Sequence, residues 1–543
     1  MRIATAQINS SLADFEYNKN KIIENIQRLS EQKAELIIFP EAILFGYHPF
    51  DLLERSILVD QQMTALKIIL KHIPTGVFVL IGGFEKNKNP KGRPYFNSVF
   101  LCQKNKIIKT FHKELLPTGD VFDEARFIEK GELKNNFFKI KNKKFFLTIC
   151  EDIWAWENKK NKSHKSEYKE NPLKRIKRQK VDLVINMSAS PFHVNKLKLR
   201  EFVVSETAKY FKSPMIYVNL VGAQDELVYD GQTFLVDQKG LKKFQLLSFE
   251  EDSNVFDIDT LESWNTKNKT ESVTEQLHKA LVLGLRDYIR KTGHKTVHLG
   301  LSGGIDSAVV AALAVDALGP QNVSLFALPT EFNLSESFIS ANQLAKNIGC
   351  TLKSLSIQST FEHIKHIFDS EFSIKDFSLV HENMQSRIRG LYLMAYSNLT
   401  GSMLITTGNK SEYATGYSTL YGDMCGGLAP IGDLTKKQVY DLARFYNQDT
   451  EIIPQFIIER PPSAELRPNQ KDQDSLPDYD DLDKSVENLV QKKNKINTET
   501  DQWLYGKLMK TEFKRWQAAP ILKISSHSFG RGRRYPIAHS AKE

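Results

Sequence analysis

Residues 295–319 read KTVHLGLSGGIDSAVVAALAVDALG, an apolar strand running into a Gly-Gly turn and then an apolar helix closed by Gly319. That order puts a glycine-rich loop at a helix N-terminus, where backbone N–H groups and the positive end of the helix dipole hold phosphate oxygens. Gly300 and Leu301 lead out of the strand; Ser302, Gly303, Gly304, Ile305, Asp306 and Ser307 form the turn. The glycines let the backbone approach a phosphate, and the serines add hydroxyl donors. No lysine stands where a Walker-type loop grips a γ-phosphate, so the turn is not built to hydrolyse that group. Asp306 instead offers a hard oxygen ligand to Mg2+. Residues 300–307 are therefore the candidate ATP site. A Gly-Gly turn alone is often only structural; the flanking serines and the strand–helix setting favour the phosphate.

Around this loop the α/β pattern continues. A helix is predicted over 274–292, a strand at 323–329, a helix at 336–348 and strands at 351–356 and 401–409, after which strands become scarce. The first half carries apolar runs at 2–8, 34–41, 76–83, 98–102, 144–152, 181–188 and 215–222, with a helical spacing over 17–30. Such near-continuous runs fit strands covered on both faces, hence a layered α/β domain. It closes near 252–260, and the polar stretch 264–272 reads as a linker. A chain of 543 residues is too long for one core, so two domains are expected, 1–262 and 263–543.

Hydrophobic residues make up 41% of the chain and charged residues 26%, as in ordinary soluble proteins. No leader-like start and no apolar run long enough to span a bilayer are present, so no membrane partner is expected. The four cysteines lack CxxC spacing, which points to a reducing cytoplasm and leaves each thiol either buried or catalytic. The net charge of +9 raises the question of nucleic acid. However, residues 159–180 hold ten Lys/Arg against two Glu, leaving the remainder at about +1. That stretch reads as a solvated basic insertion leading into a short helix, and no nucleic-acid partner is expected.

Further motifs follow the loop. They are the run from His381 to Arg389, LITTGNKSE (404–412), the run from Gly416 to Asp423, PSAEL (462–466), DQDSLP (472–477) and the run from Glu512 to Arg515. With 302–307 they resemble the pyrophosphate-loop ATPases and, within them, the NAD+ synthetase family, over most of residues 275–540. The resemblance implies a Rossmann-like domain with a parallel sheet that amidates deamido-NAD+ through an adenylated intermediate, releasing AMP and diphosphate. It also implies Mg2+ at Asp306 and Glu412, and ATP against Thr407. Asn383, Glu412, Tyr417, Ser418, Thr419, Leu420 and Lys514 would face deamido-NAD+. Arg387 and Arg389 read equally well as ion pairs on a helix surface. Ser340 stands where the family usually has Asp.

In the first half, Glu41 follows IIFP, Lys113 lies in FHKELLPT and Cys150 in LTICEDIW. Taken singly, each has a plain structural reading, above all a cysteine after Leu-Thr-Ile as a small buried hydrophobe. With VFDE (121–124) and NMSASP (186–191) they resemble the nitrilase/amidase superfamily over residues 1–260, which implies an α–β–β–α sandwich and a Glu–Lys–Cys triad. Chemistry supports the trio. A thiol attacks an amide only as thiolate, an ammonium stabilises both thiolate and oxyanion, and a carboxylate can carry the proton. By the same resemblance Ser190 and Lys196 would hold glutamine. Gly119 occupies a glutamine-binding position where a tyrosine is usual. Cys102, Cys350 and Cys425 are read as structural.

The two halves together imply a homo-oligomeric ligase that frees ammonia from L-glutamine, or takes ammonia directly, and delivers it by a sequestered path to an acyl-adenylate, giving NAD+ and glutamate. Three other readings share these motifs: an amidase-fed pyrophosphate-loop ligase acting on a purine nucleotide or aspartate, an RNA-modifying protein that uses the basic stretch, and a scaffold with silent sites.

Overall fold

The computed structural model describes residues 1–157, 168–176, 179–263 and 271–541. Residues 264–270 of the predicted linker and much of the basic stretch (159–167, 177–178) lie outside the described residues. Two compact units emerge, the first containing Met1–Gln224 and the second running on from Glu271.

The first unit holds two six-stranded sheets. One contains β1 (Arg2–Gln7), β2 (Leu36–Ile38), β3 (Phe78–Lys86), β4 (Tyr95–Gln103) and β5 (Lys106–His112). The other contains β6 (Phe137–Ile140), β7 (Lys143–Ile149), β8 (Leu183–Ser188) and β9 (Met215–Asn219). A two-stranded ribbon, β10 (Val221–Gln224) with β11 (Leu227–Asp230), stands apart. The strands β12 (Phe234–Val236) and β13 (Lys242–Gln245) complete the second sheet, and β14 (Asp252–Asp257) returns to pair antiparallel with β1. The central strands β1–β2–β3 and β7–β8–β9 are parallel.

Alternation along β7 shows why the apolar runs are unbroken. Phe145, Leu147 and Ile149 point into the core between the sheets, with Leu183, Ile185 and Ile216, while Phe146 joins a second core. That second core contains Val203, Val204, Ala208 and Phe211 of helix α4, with Trp154 beside them. Both faces of the strand are thus buried. On the outer side α1 (Phe15–Glu31), capped by Asp14, packs with α2 (Ser56–His72), giving the expected α–β–β–α layering. After α1 and α2 in sequence come the one-turn α3 (Pro172–Arg175) and α4 (Lys196–Phe211), the latter packed on the second sheet.

The second unit begins with α5 (Val273–Lys291) and has one parallel four-stranded sheet, ordered β17–β16–β15–β18. Its strands are β15 (Val297–Gly300), β16 (Val323–Ala327), β17 (Leu352–Ser354) and β18 (Met403–Leu404). Helix α6 (Ile305–Leu318) is apolar on nearly every side and correspondingly buried. It is followed by α7 (Ser335–Asn347), α8 (Gln358–Phe372), α9 (Leu379–Thr400), α10 (Lys410–Thr415) and α11 (Lys436–Tyr446).

Three predicted strands are shorter than their apolar runs. The 34–41 run is strand only over Leu36–Ile38, the 144–152 run ends at Ile149, and the 401–409 run is strand only at Met403–Leu404, with a single bridge from Ile405 to Leu428. In each case the chain leaves the sheet shortly before a candidate site residue: Glu41, Cys150 and Thr407 respectively. Removing the core side chain with Leu147→Ala is expected to cost about 2–5 kcal/mol, read as a lower unfolding midpoint in denaturant.

Candidate functional site

In the first unit, Glu41 lies three residues past β2, Lys113 is the residue after β5 and Cys150 the residue after β7. The fold brings these strand ends together. Glu41 Oε1 lies 2.8 Å from Lys113 Nζ and accepts a hydrogen bond of 2.8 Å from Asn97 Nδ2, while Oε2 accepts one of 2.8 Å from the Ala189 backbone N–H. Lys113 Nζ also reaches Glu124 Oε1 at 2.7 Å, and Tyr47 donates its hydroxyl to that same oxygen. Glu41 and Lys113 have no exposed surface, and Cys150 is buried.

Burial opposes the charge on Lys113, but Glu124 and Glu41 outweigh it and hold the ammonium well above its ordinary pKa. Burial, followed by the Glu41 carboxylate, pushes the Cys150 thiol well up, with Lys113 pulling the other way. Cys150 has φ +40°, a left-handed conformation that non-glycine residues rarely adopt. Asp152 restrains the turn: Oδ2 accepts from the Ile149 N–H at 2.8 Å, and Oδ1 from the Glu114 and Leu115 N–H groups at 2.9 Å each. One carboxylate thus ties the cysteine turn to the segment after Lys113.

Ser190 is buried and held by Arg200, which donates to Ser190 Oγ at 3.3 Å and to its carbonyl at 2.7 Å while pairing with Asp230 at 2.7 Å. Lys196 opens α4 with its Nζ 4.0 Å over the Trp154 ring. Gly119 sits on an exposed loop, where its carbonyl accepts from the Phe122 N–H at 3.0 Å.

The second unit holds a cavity of about 300 Å3 lined by Gly300, Leu301, Ser302, Gly304, Ile305, Asp306, Ser307 and Thr407, with Glu412, Tyr417, Ser418 and Lys436 opposite. Gly303 is not among the lining residues. It shapes the turn with φ +78°, and a Cβ there would lie 2.4 Å from the Ser337 carbonyl oxygen. The serine hydroxyls mainly fold the loop: Ser302 Oγ accepts from the Gly304 N–H at 3.2 Å, and Ser307 donates to the Gly304 carbonyl at 3.0 Å. Asp306 Oδ2 lies 2.6 Å from Lys436 Nζ, and Glu412 Oε1 lies 3.6 Å from it. Asn409 donates its side-chain N–H to Asp306 Oδ1 at 2.9 Å and its backbone N–H to Glu412 Oε2 at 3.1 Å.

Burial, then the neighbouring Asp306 charge, pushes the Glu412 carboxyl up to about 8. Burial alone would lower Lys436, but Asp306 and Glu412 raise it. Two carboxylates already converging on a cation form an oxygen-only donor set of the kind Mg2+ takes together with substrate phosphates.

Four residues expected to face the dinucleotide do not line this cavity. Thr419 donates its hydroxyl to Asn383 Oδ1 at 2.7 Å, Leu420 offers its carbonyl to Arg387 at 3.3 Å, and Lys514 Nζ donates to the Gly416 and Ser418 carbonyls at 2.8 and 2.7 Å. They hold the 416–420 segment from behind. Arg389, which also reads from sequence as a surface residue, lines the cavity and donates to the Leu328 carbonyl at 3.0 Å. Glu124, Asp152 and Lys436 were not singled out as site residues by sequence reasoning. The acidic residue two places after the nucleophile was the visible signal for Asp152; Lys436 lies among ordinary helix-start residues and gives none.

A family model described as Carbon-nitrogen hydrolase matches residues 2–266, and one described as NAD synthase matches residues 277–518. The glutamine-dependent NAD(+) synthetase of Synechocystis is 40% identical over 553 residues, covering 99% of this chain and 98% of the relative. That of Thermotoga maritima is 36% identical, covering 100% and 99%. The structure of glutamine-dependent NAD+ synthetase from Acinetobacter baumannii in complex with ADP superposes with a TM-score of 0.78 at 32% identity, covering 99% of this chain and 98% of that one. A crystal structure of a glutamine-dependent NAD(+) synthetase from Cytophaga hutchinsonii, at 20% identity and a TM-score of 0.83, has the same fold over 99% and 98% of the two chains.

Gly303→Ala is expected to abolish nucleotide binding at the cavity, because both the left-handed backbone and the Ser337 carbonyl exclude a Cβ. Titration calorimetry with ATP measures this, and wild-type affinity in the variant would remove the loop from the site.

Proposed function

The chain belongs to the glutamine-dependent NAD+ synthetases, and from that membership we propose how its own residues divide the work. The enzyme is a ligase that converts deamido-NAD+ to NAD+ with glutamine as nitrogen donor and ATP as energy source. The observation that carries the residue assignment is the buried Glu41–Lys113–Cys150 constellation, whose partners leave few other chemical uses for it.

As glutamine's side-chain amide reaches Cys150, the thiol proton passes to Glu41 and sulfur bonds to the amide carbon. The oxyanion that forms lies against the Lys113 ammonium, whose charge is fixed by two carboxylates and needs no reorganisation. Glu41 then gives its proton to the departing nitrogen. The same carboxylate takes a proton from water as it attacks the thioester carbon; the carbon–sulfur bond then breaks, Glu41 returns that proton to the Cys150 sulfur, and glutamate leaves. Lys113 keeps Glu41 and Glu124 within ion-pair distance, which favours its charged form.

In the second unit, residues 302–307 would take the ATP phosphates, with Thr407 and Lys436 beside them. Asp306 and Glu412 would hold Mg2+, which when bound neutralises charge on phosphate oxygens. The nicotinate carboxylate bonds to the α-phosphorus as the bond to diphosphate breaks; ammonia then attacks the acyl carbon and AMP departs. Tyr417 and Ser418 line the face for deamido-NAD+, while Asn383, Thr419, Leu420 and Lys514 shape the segment that carries them. The four unpaired cysteines suit a reducing, ATP-supplied cytoplasm.

Helices α8 and α9 expose Phe372, Leu379, Leu391 and Leu399, each more than half accessible. Leu391 and Leu399, about two turns apart on α9, fit burial against a second copy, so we read the enzyme as a homo-oligomer. The paired substitution Leu391→Glu with Leu399→Glu is expected to turn an assembled wild type into monomers by light scattering; an unchanged mass would place the interface elsewhere.

Cys150→Ala is expected to lose glutamine-driven NAD+ formation by several orders of magnitude and to keep the ammonia-driven reaction. Glutamine-driven turnover in that variant would refute the nucleophile assignment.

A further inference from the structure

The segment 168–176 belongs to the stretch that sequence alone reads as a solvated insertion, yet it is fastened beside the glutamine-hydrolysing residues at two points. Tyr168 donates its hydroxyl to Glu151 Oε1 at 3.0 Å, and Glu151 is the residue after Cys150. Arg175 pairs with Glu114, the residue after Lys113. Between these points Asn171 caps α3, accepting from the Leu173 N–H at 3.0 Å, and Leu173 and Ile176 are buried in the core with Phe146, Ile153 and Trp154. The segment therefore lies over both loops that carry the nucleophile and its ammonium.

The carboxylates around Cys150 are accounted for, except one. Glu41 and Glu124 are committed to Lys113, and Asp152 to three backbone N–H groups. Glu151 takes no part in the proton transfers of amide hydrolysis. Burial raises its pKa, while Lys113 and then Lys196 oppose that rise. A carboxylate has about four lone-pair sites, and a single phenolic donor leaves capacity for a cation. Glutamine bound with its side-chain amide at Cys150 carries an α-ammonium at its far end that must be matched by an acceptor. Tyr47, the other tyrosine at these carboxylates, spends its hydroxyl on Glu124.

We propose that Tyr168 is a positioning residue for substrate selection: its hydroxyl fixes the Glu151 carboxylate so that Glu151 receives the α-ammonium of glutamine. This rests on Cys150 being the nucleophile. The segment 168–176 is then part of the glutamine site rather than a surface ornament, and selectivity for an amino-acid amide over a plain amide comes from it.

The test compares glutamine with glutaramate, which has the same terminal amide and carboxylate but hydrogen in place of the α-ammonium. Glutamate or glutarate release is measured with the full-length enzyme. Tyr168→Phe and Glu151→Gln are each expected to lower kcat/KM for glutamine about tenfold or more, chiefly through KM, the size of a lost hydrogen bond to a charged group. Neither is expected to change kcat/KM for glutaramate, so the preference for glutamine collapses. Equal losses on both substrates would show that Tyr168 merely supports the fold around Cys150, and unchanged glutamine kinetics in Tyr168→Phe would leave it no role; either overturns the proposal. If Cys150→Ala still hydrolysed both amides, the nucleophile assignment would fail instead, a different result from either of these.

Discussion

The ammonium of Lys113, with no exposed surface and a carboxylate on either side, is the interaction on which the arrangement of the first unit's buried polar cluster depends. A lone charge so deeply buried would shed its proton or cost several kcal/mol. Glu41 and Glu124 prevent both outcomes, and the order of the strands follows from the need to bring them together. Glu41 comes from the end of a parallel strand, Lys113 from the end of an antiparallel one, and Glu124 from the loop that returns from it. Asn97 on β4 and the Ala189 N–H beyond β8 then fix the Glu41 carboxylate from opposite sheets. Removing any one partner would leave a buried charge unmatched, so the site is also a structural joint.

The second unit repeats this design with one difference. Lys436 is again a buried ammonium between two carboxylates, Asp306 and Glu412. Here, however, the cluster forms the wall of a cavity of about 300 Å3. Asn409 braces both carboxylates, so their spacing is set before any substrate arrives, which lowers the cost of assembling a phosphate site. The first cluster is closed and serves to keep one charge permanent. The second is open and presents its charge to a ligand.

How much of this could be read in the sequence varied with the kind of signal. The loop at 302–307 was legible because a strand, two glycines and a helix N-terminus leave a local pattern. Glu41, Lys113 and Cys150 were legible only as motifs in order, because their meeting depends on sheet pairing across more than a hundred residues. Lys436 was not marked because its partner Asp306 lies 130 residues away in sequence, and Glu124 was seen only as a member of the 121–124 motif, its pairing with Lys113 emerging from the loop that brings it back. The α–β–β–α layering was foreshadowed by apolar runs such as 144–152 and 98–102, but β5 and β13, the outer strands of their hairpins, were missed, since polar residues on their exposed positions dilute the pattern. The basic stretch was read by charge alone, which hid the buried Leu173 and Ile176 and the Tyr168 hydroxyl.

The turn at Cys150 shows why the predicted strand had to stop short. A regular strand sends successive side chains to opposite faces, so with Ile149 in the core between the sheets, Cys150 would point toward α4. Instead both residues belong to the core between the sheets. The left-handed backbone at Cys150 turns the sulfur back toward Lys113 and Glu41, at a cost on the order of 1–3 kcal/mol for such a conformation. Asp152 makes that cost tolerable, because its carboxylate satisfies the Ile149 N–H that the broken ladder would orphan, and the same group satisfies two N–H groups after Lys113. Strain at the nucleophile and alignment of the ammonium are therefore one constraint, expressed through a single buried carboxylate.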